Sequence, residues 1–255
     1  MDAIYNYVGK TLYGWKFMFL AILLFSVSSI STAKPLVELT ESFGETVVPY
    51  HHSIGRKKSF QQINASINRK GYGPRTYVRS DVHEILAATF KSLQSKPLKL
   101  VYGEGSWGEA HINKSLKPHK THKNGMYLDI FMPLNNRAGT PVYFPITKEN
   151  LFGYAVNFTK KGTGQGTHTN YQIDWVGLIT LFDALCTHGG DHIKKILIAE
   201  DLIPALQDPI LKEHWAPIPQ KCRTKLHPIR VLGPYKFAGR DLLVDHDDHI
   251  HVEFH

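Results

Sequence analysis

An alternation of apolar and polar positions predicts a β-strand at the end of the chain. Residues 245–255 (DHDDHIHVEFH) interleave Ile, Val and Phe with histidines. Side chains two residues apart on a strand point to the same face, so His249 and His251 are predicted to project together. A second strand is predicted over residues 126–132, where Asp129 lies on the face opposite to the most aliphatic side chains.

Apolar residues at helical spacing predict two helices. Residues 81–94 (DVHEILAATFKSLQ) form an amphipathic pattern that begins at an N-cap, Ser80 or Asp81. Residues 174–186 (DWVGLITLFDALC) are apolar almost all round, which is typical of a buried helix. The remaining predicted elements are strands at 98–102 and 195–199, a short helix at 202–206, a strand or hairpin near 154–158, and an outward loop over 214–228.

Strands and helices follow one another without a regular β-α-β order. The sequence therefore predicts an α+β fold, in which a small, mostly antiparallel β-sheet is flanked by helices within a single domain. We assign residues 1–33 to a signal peptide, 34–80 to an irregular segment that wraps the core, and 81–255 to the domain that carries the chemistry.

The first 33 residues have the pattern of a secretory signal. Lys10 and Lys16 precede an apolar run, residues 17–30, which is followed by small residues at 31–33. The run is short for a membrane span, so we predict cleavage, a periplasmic or secreted protein, and no stable membrane insertion afterwards. The alternative is an uncleaved N-terminal anchor. Either way the compartment is oxidising, where the cysteines at 186 and 222 can pair.

The charge of the chain favours an anionic polymer as partner. The formal net charge is +8, which suits a cell wall, lipid headgroups or nucleic acid. The lysines are scattered, however, and no basic run is interleaved with aromatic residues as a nucleic-acid groove would require. We therefore predict no nucleic-acid binding.

Two histidine-rich segments carry the candidate chemistry. One has the pattern H-x-x-H-x(6)-D over residues 119–129, and the other has H-x-x-H-x-H over residues 246–251. His122, Asp129 and His251 would supply two nitrogens and one oxygen, a donor set that suits tetrahedral Zn²⁺ with its fourth position open to water. The alternative is that the histidines lie on the surface, or are satisfied internally, without a metal.

The remaining histidines are candidates for catalytic roles. A zinc ion lowers the pKa of a bound water and polarises a carbonyl group, but peptide hydrolysis also needs a group that takes and returns a proton. His249 is predicted for that task, because it lies two residues before a proposed ligand and on the same face. His119 and His246 are predicted to orient water or to stabilise an oxyanion.

Together the two patterns resemble those of the penicillin-insensitive murein endopeptidases. These belong to the wider group of lysostaphin-like, D-alanyl-D-alanine and hedgehog-related metallopeptidases, which share H-x(6)-D and H-x-H. The additional His119 and His246 point to the murein endopeptidase branch. The resemblance runs loosely from about residue 53 to the C-terminus and makes residues 81–255 a zinc metallopeptidase domain.

The resemblance implies a substrate and a division of roles. Zinc would be held by His122, Asp129 and His251, with His249 as the base and two further active-site histidines. The substrate would be crosslinked peptidoglycan, cut between D-alanine and the diamino acid of the neighbouring stem. Two features depart from the family: the chain has only two cysteines, and residues 135–170 are longer than usual.

Two other functions are compatible with the same residues. A D-alanyl-D-alanine carboxypeptidase could use the same zinc and the same base. A non-catalytic cell-wall or receptor-binding module could keep zinc for structure, but loss of His249 would then be expected, and His249 is present.

Overall fold

The computed structural model describes most of the chain beyond the predicted signal peptide. The described residues are 34–50, 75–108, 122–147, 149–150, 153–229 and 247–255, with the backbone alone of 234–237 and 240–243. Residues 1–33, His119 and His246 lie outside them. Pro35–His255 forms one compact unit. Within the described part, none of the helices has the length and apolar character needed to cross a membrane.

Short strands and five α-helices, with short 3₁₀ turns between some of them, make up the described fold. The strands are β1 (Leu36–Glu38), β2 (Val47–Pro49), β3 (Tyr77–Arg79), β4 (Leu100–Tyr102), β5 (Tyr127–Phe131), β6 (Leu134–Asn136), β7 (Pro141–Val142), β8 (Tyr171–Ile173), β9 (Ile193–Ala199), β10 (Leu226–Ile229), β11 (Pro234–Phe237), β12 (Arg240–Leu243) and β13 (His249–Phe254). The helices are α1 (Ser80–Ser92), α2 (Trp175–Gly189), α3 (Ile203–Leu206), α4 (Lys212–Trp215) and α5 (Gln220–Arg223).

The main sheet has six strands in the order β10-β9-β13-β5-β4-β2. Its three inner pairings, β9 with β13, β13 with β5 and β5 with β4, are antiparallel. The two outer pairings, β10 with β9 and β2 with β4, are parallel. This mixed sheet and its helices confirm the predicted α+β class.

β13 lies at the centre of the sheet, and all six of its residues are buried. Its aliphatic side chains, Ile250 and Val252, belong to one apolar core together with buried residues of α1 and α2. In the register with β5, His251 is opposite Asp129 and His249 is opposite Phe131. The alternation predicted from the sequence therefore separates an aliphatic face from a face that carries the histidines and the carboxylate.

The two predicted long helices are confirmed. α1 buries Val82, Leu86 and Phe90, which recur every four residues and so form one stripe. α2 starts after Asp174, whose carboxylate accepts a hydrogen bond from the backbone of Gly177 at 2.9 Å. Such a cap satisfies one of the donors that a helix leaves free at its N-terminus.

The N-terminal segment is more regular than predicted. Instead of an irregular wrap, the described part of residues 34–80 contains β1, β2 and β3. β2 forms an edge of the main sheet, where Val47 and Val48 are buried. The apolar run is too short to stand out in sequence, and its place is decided by the pairing with β4.

Two further predictions are corrected, the strand or hairpin near 154–158 and the outward loop over 214–228. Near 154–158 the backbone forms turns, and Phe158 makes only an isolated bridge to Gly164. The segment 214–228 contains the end of α4, all of α5 and most of β10 rather than an outward loop. β10 pairs in parallel with β9, and its few half-exposed residues gave no apolar alternation to detect.

The two cysteines form a disulfide. Cys186 in α2 is joined to Cys222 in α5, with Cα atoms 5.9 Å apart. The bond closes a loop of 36 residues in sequence separation. It ties α2 to the segment that precedes β10, which is consistent with an oxidising compartment.

Removing the disulfide should lower stability. For a closed loop of this length, the restriction of the unfolded chain is worth about 3–4 kcal/mol. We expect the double variant Cys186→Ala, Cys222→Ala to lose that much free energy of unfolding in urea, relative to the oxidised wild type. Equal urea midpoints for the two proteins would contradict the pairing.

Candidate metal centre

His122 is placed by the turn that precedes β5. Asn124 and Gly125 have φ angles of 62° and 68°, the left-handed pair that a type I′ turn requires. A Cβ at Gly125 would lie 2.5 Å from the backbone nitrogen of Arg79, so only glycine fits. The turn expected from Asn-Gly is present, and it brings His122 beside the first residues of β5.

Three predicted ligands meet in one buried group. His122 Nε2 lies 3.1 Å from His251 Nδ1 and 3.1 Å from Asp129 Oδ1. His251 Nδ1 lies 2.9 Å from the same oxygen. The three residues are no more than 3% exposed. Residues from two remote segments thus present two nitrogens and one oxygen that could hold a metal ion.

The donor set fits a tetrahedral cation. Zinc bound to nitrogen and oxygen at its usual bond lengths separates its ligand atoms by about 3.3 Å, close to the spacing in this group. His122 Nδ1 donates to the Gly105 carbonyl at 2.8 Å, which leaves Nε2 as a lone-pair donor and fixes the ring. His251 turns Nδ1 to the group, while its buried Nε2 has no hydrogen-bond partner among the described residues.

Asp129 is held by contacts on both sides. Its Oδ1 faces the two imidazoles, and its Oδ2 accepts a hydrogen bond from the Tyr154 hydroxyl at 2.8 Å. Burial opposes ionisation, but His122 and His249 outweigh it and hold the pKa of Asp129 well below its usual value. Burial and Asp129 together raise the pKa of Tyr154 well above 10. At neutral pH the tyrosine is therefore a donor and the aspartate an acceptor.

His249 faces the same group without belonging to it. Its Nε2 lies 3.7 Å from Asp129 Oδ1, and its Nδ1 makes a short hydrogen bond with the Asp248 carboxylate. Burial would lower the pKa of His249, but Asp129 and then Asp248 raise it to about 9. One ring nitrogen is thus anchored, and the other points to the group and can exchange a proton.

A buried ion pair supports the backbone behind the ligands. The guanidinium of Arg75 contacts the carboxylate of Glu104, and both side chains are buried. The backbone of Glu104 accepts a hydrogen bond from Asp129 at 3.0 Å, and Gly105 donates to the Arg75 carbonyl at 2.9 Å. The pair therefore holds the segment that carries the Gly105 carbonyl, the acceptor for His122.

The structure brings together four of the six predicted site residues: His122, Asp129, His249 and His251. His119 and His246 lie outside the described residues. Sequence reasoning missed Tyr154, which belongs to no motif and is reached only through the fold. It also passed over Asp248, although an acidic neighbour of the proposed base was visible in the sequence.

Loss of the Tyr154 hydroxyl should weaken metal binding. Without this donor Asp129 can rotate, and losing a partner of a ligand typically costs about 10–100-fold in affinity. We expect that loss for Tyr154→Phe in competition with a chromogenic chelator, with an unchanged circular dichroism spectrum. Tyr171→Phe, a half-buried tyrosine in β8, serves as the control. Wild-type affinity in Tyr154→Phe would show that the contact does not orient Asp129.

A scan against models of protein families finds no family that matches this chain, and a search of curated proteins returns no match. Function is therefore inferred from the residues and their geometry.

Proposed function

We propose that the protein is a zinc-dependent murein endopeptidase, which hydrolyses the bond between D-alanine and a diamino acid in crosslinked peptidoglycan. The observation that supports this most is the buried group itself. Its three donor atoms lie within 3.1 Å of one another, and His249 Nε2 is 3.7 Å from the Asp129 oxygen. A proton acceptor beside a three-ligand site is what metal-assisted hydrolysis needs.

The chain supplies the proton transfers. A zinc ion held by His122, Asp129 and His251 would lower the pKa of a bound water and polarise the scissile carbonyl. Against burial, the pKa of about 9 for His249 owes most to the negative charge of Asp129, and a divalent cation bound to Asp129 would offset that charge and lower the pKa of His249. The neutral ring could then take the proton of the attacking water on Nε2 and return it to the leaving amine. Asp248 keeps the proton of the neutral ring on Nδ1, so that Nε2 presents its lone pair to the site.

The substrate class rests on the motif spacing and on the charge. The patterns H-x-x-H-x(6)-D and H-x-x-H-x-H resemble those of the murein endopeptidases, and peptidoglycan lies outside the cell membrane. The signal-like residues 1–33 support export to that compartment. The net charge of +8 suits a polymer whose stem peptides carry free carboxylates.

Product analysis tests the proposal. Purified sacculi are incubated with the mature protein, with and without a chelator, and the muropeptides are separated by chromatography. Chelator-sensitive conversion of crosslinked dimers to monomers supports the endopeptidase. Loss of terminal D-alanine instead would identify a carboxypeptidase. Unchanged muropeptides would contradict hydrolysis and favour the non-catalytic binding module.

The identity of the metal needs its own measurement. Two imidazole nitrogens and one carboxylate oxygen suit Zn²⁺ better than Mg²⁺ or Ca²⁺, which prefer oxygen ligands. We expect about one zinc per chain by elemental analysis. After chelation, zinc at one equivalent should restore activity, whereas Mg²⁺ should not.

A further inference from the structure

A groove follows the segment that carries Tyr154. It consists of three adjoining cavities of about 390, 340 and 500 Å³. The first and second share Gln165, and the second and third share Lys160. We call this the lateral groove and define it by Gln165, Lys160, Lys161, Trp175, Ile210 and Asp247.

The lateral groove is formed in part by residues close in sequence to the candidate site. Asp247 lines its middle cavity, and His249 follows two residues later. The Asp247 carboxylate accepts a hydrogen bond from the backbone of Phe158 at 2.6 Å, which fastens the groove segment to the start of β13. Ala155 lines the first cavity and directly follows Tyr154, the partner of Asp129. The groove therefore shares two chain segments with the candidate site, although its lining includes none of the four site residues themselves.

The outer cavity combines apolar surface with positive charge. It is lined by Trp175 and by Ile210, whose side chain is 81% exposed. Lys160 and Lys161 border the same cavity and are exposed. A Cβ at Gly162 would lie 2.7 Å from the Trp175 ring, so the indole packs directly on the turn that carries the two lysines.

Positive charge exceeds negative charge only in the outer cavity, because carboxylates line the other two: Glu149 in the first, and Asp201 and Asp247 in the second. Lys160 is 3.6 Å from Asp201, but both are well exposed, and such a pair contributes little. The carboxylate of Asp208, which also lines the cavity, accepts a hydrogen bond from the backbone of Ile210 at 3.0 Å. Asp208 keeps its charge, but the two lysines outnumber it in the outer cavity. This cavity therefore suits the carboxylates of a ligand that also has small apolar groups.

We propose that the lateral groove binds a further stem peptide of peptidoglycan, beyond the crosslinked pair that is cut. Stem peptides present alanine methyl groups and free carboxylates, which complement the Trp175–Ile210 surface and the two lysines. The proposal rests on the proposed function for the identity of the polymer. Binding in the groove would make the enzyme prefer the polymer to small soluble fragments. A second contact with the same polymer raises the effective concentration of the crosslink at the site.

Binding is tested separately from cleavage. In a His249→Ala background, co-sedimentation with purified sacculi is compared for the parent, for Lys161→Glu and Ile210→Ser, and for Lys96→Glu, an exposed lysine outside the groove. We expect about tenfold weaker binding for the two groove variants and none of that loss for Lys96→Glu. Amidation of the stem-peptide carboxylates should weaken the binding of the parent protein to sacculi by a similar factor. Parental binding by the groove variants, or an equal loss in Lys96→Glu, would overturn the proposal.

Cleavage then separates this proposal from the proposed function. In the active protein, Lys161→Glu and Ile210→Ser should cut sacculi about tenfold more slowly at limiting polymer, yet cut a soluble crosslinked dimer at the wild-type rate. An equal loss on both substrates would overturn the role of the groove. If the wild type cuts neither substrate while the sedimentation differences hold, the endopeptidase fails and the groove stands.

Discussion

Replacing Asp129 by asparagine is expected to remove the metal and to bring hydrolysis down to background. Asp129 Oδ1 is the atom that both ligand histidines approach, at 3.1 and 2.9 Å, and it is the only anionic donor of the predicted set. An amide has the same shape but no charge, so it cannot offset a divalent cation in a buried site. The loss of metal affinity should exceed the roughly 10–100-fold that follows when a residue hydrogen-bonded to a metal ligand is removed.

Three measurements check this result. Elemental analysis should find no stoichiometric zinc in Asp129→Asn, and dimer cleavage should be undetectable. Added zinc should raise the unfolding temperature of the wild type but not of the variant, since only a protein that binds the ion gains stability from it. Asp191→Asn, a change at an exposed carboxylate, is the control. Zinc at full occupancy in Asp129→Asn would remove the basis for the site.

Replacing His249 by alanine is expected to separate metal binding from catalysis. His249 Nε2 lies 3.7 Å from Asp129 Oδ1, farther than the ligand nitrogens, so the ion should remain bound. The proposed proton acceptor is gone, however, and positioned acid–base groups typically contribute about 10²–10⁴-fold. We therefore expect one zinc per chain and cleavage slower by that factor.

Asp248→Asn refines the same experiment. The short contact between Asp248 and His249 Nδ1 sets which ring nitrogen carries the proton, and an amide can stabilise the wrong tautomer. We expect kcat to fall while KM and zinc content stay unchanged, a split that simple unfolding would not produce.

For the His249→Ala variant, cleavage at the wild-type rate would show that another group accepts the proton.

Local patterns were sufficient for the elements nearest the site. The alternation in 245–255 and the Asn124–Gly125 turn depend on neighbours in sequence, because strand faces and left-handed turn residues are set by the local backbone. The two long helices were predictable for the same reason. Spacing also singled out two pairs of candidate residues, His122 with Asp129 and His249 with His251, because residues close in sequence leave a regular signature.

Contacts between remote segments could not be obtained in that way. β2 and β10 join the sheet through parallel pairing with β4 and β9, and neither strand has an alternation strong enough to predict it. Tyr154 reaches Asp129 from 25 residues away because an intervening turn brings the chain back. In that turn Asn150 Oδ1 accepts hydrogen bonds from the backbone of Thr147 and Gly153, each at 2.9 Å. Contacts between residues so far apart depend on the whole packing and leave no local signal.

The sequence by itself determined which side chains share a face of β13 and β5, and which residue types were present to bind a metal, because strand geometry and ligand chemistry are local properties. The tertiary structure alone decided that His251 lies opposite Asp129, that the Tyr154 hydroxyl reaches Asp129, and that Cys186 meets Cys222. These depend on register and packing, where the free energy comes from many weak contacts between segments far apart in the chain.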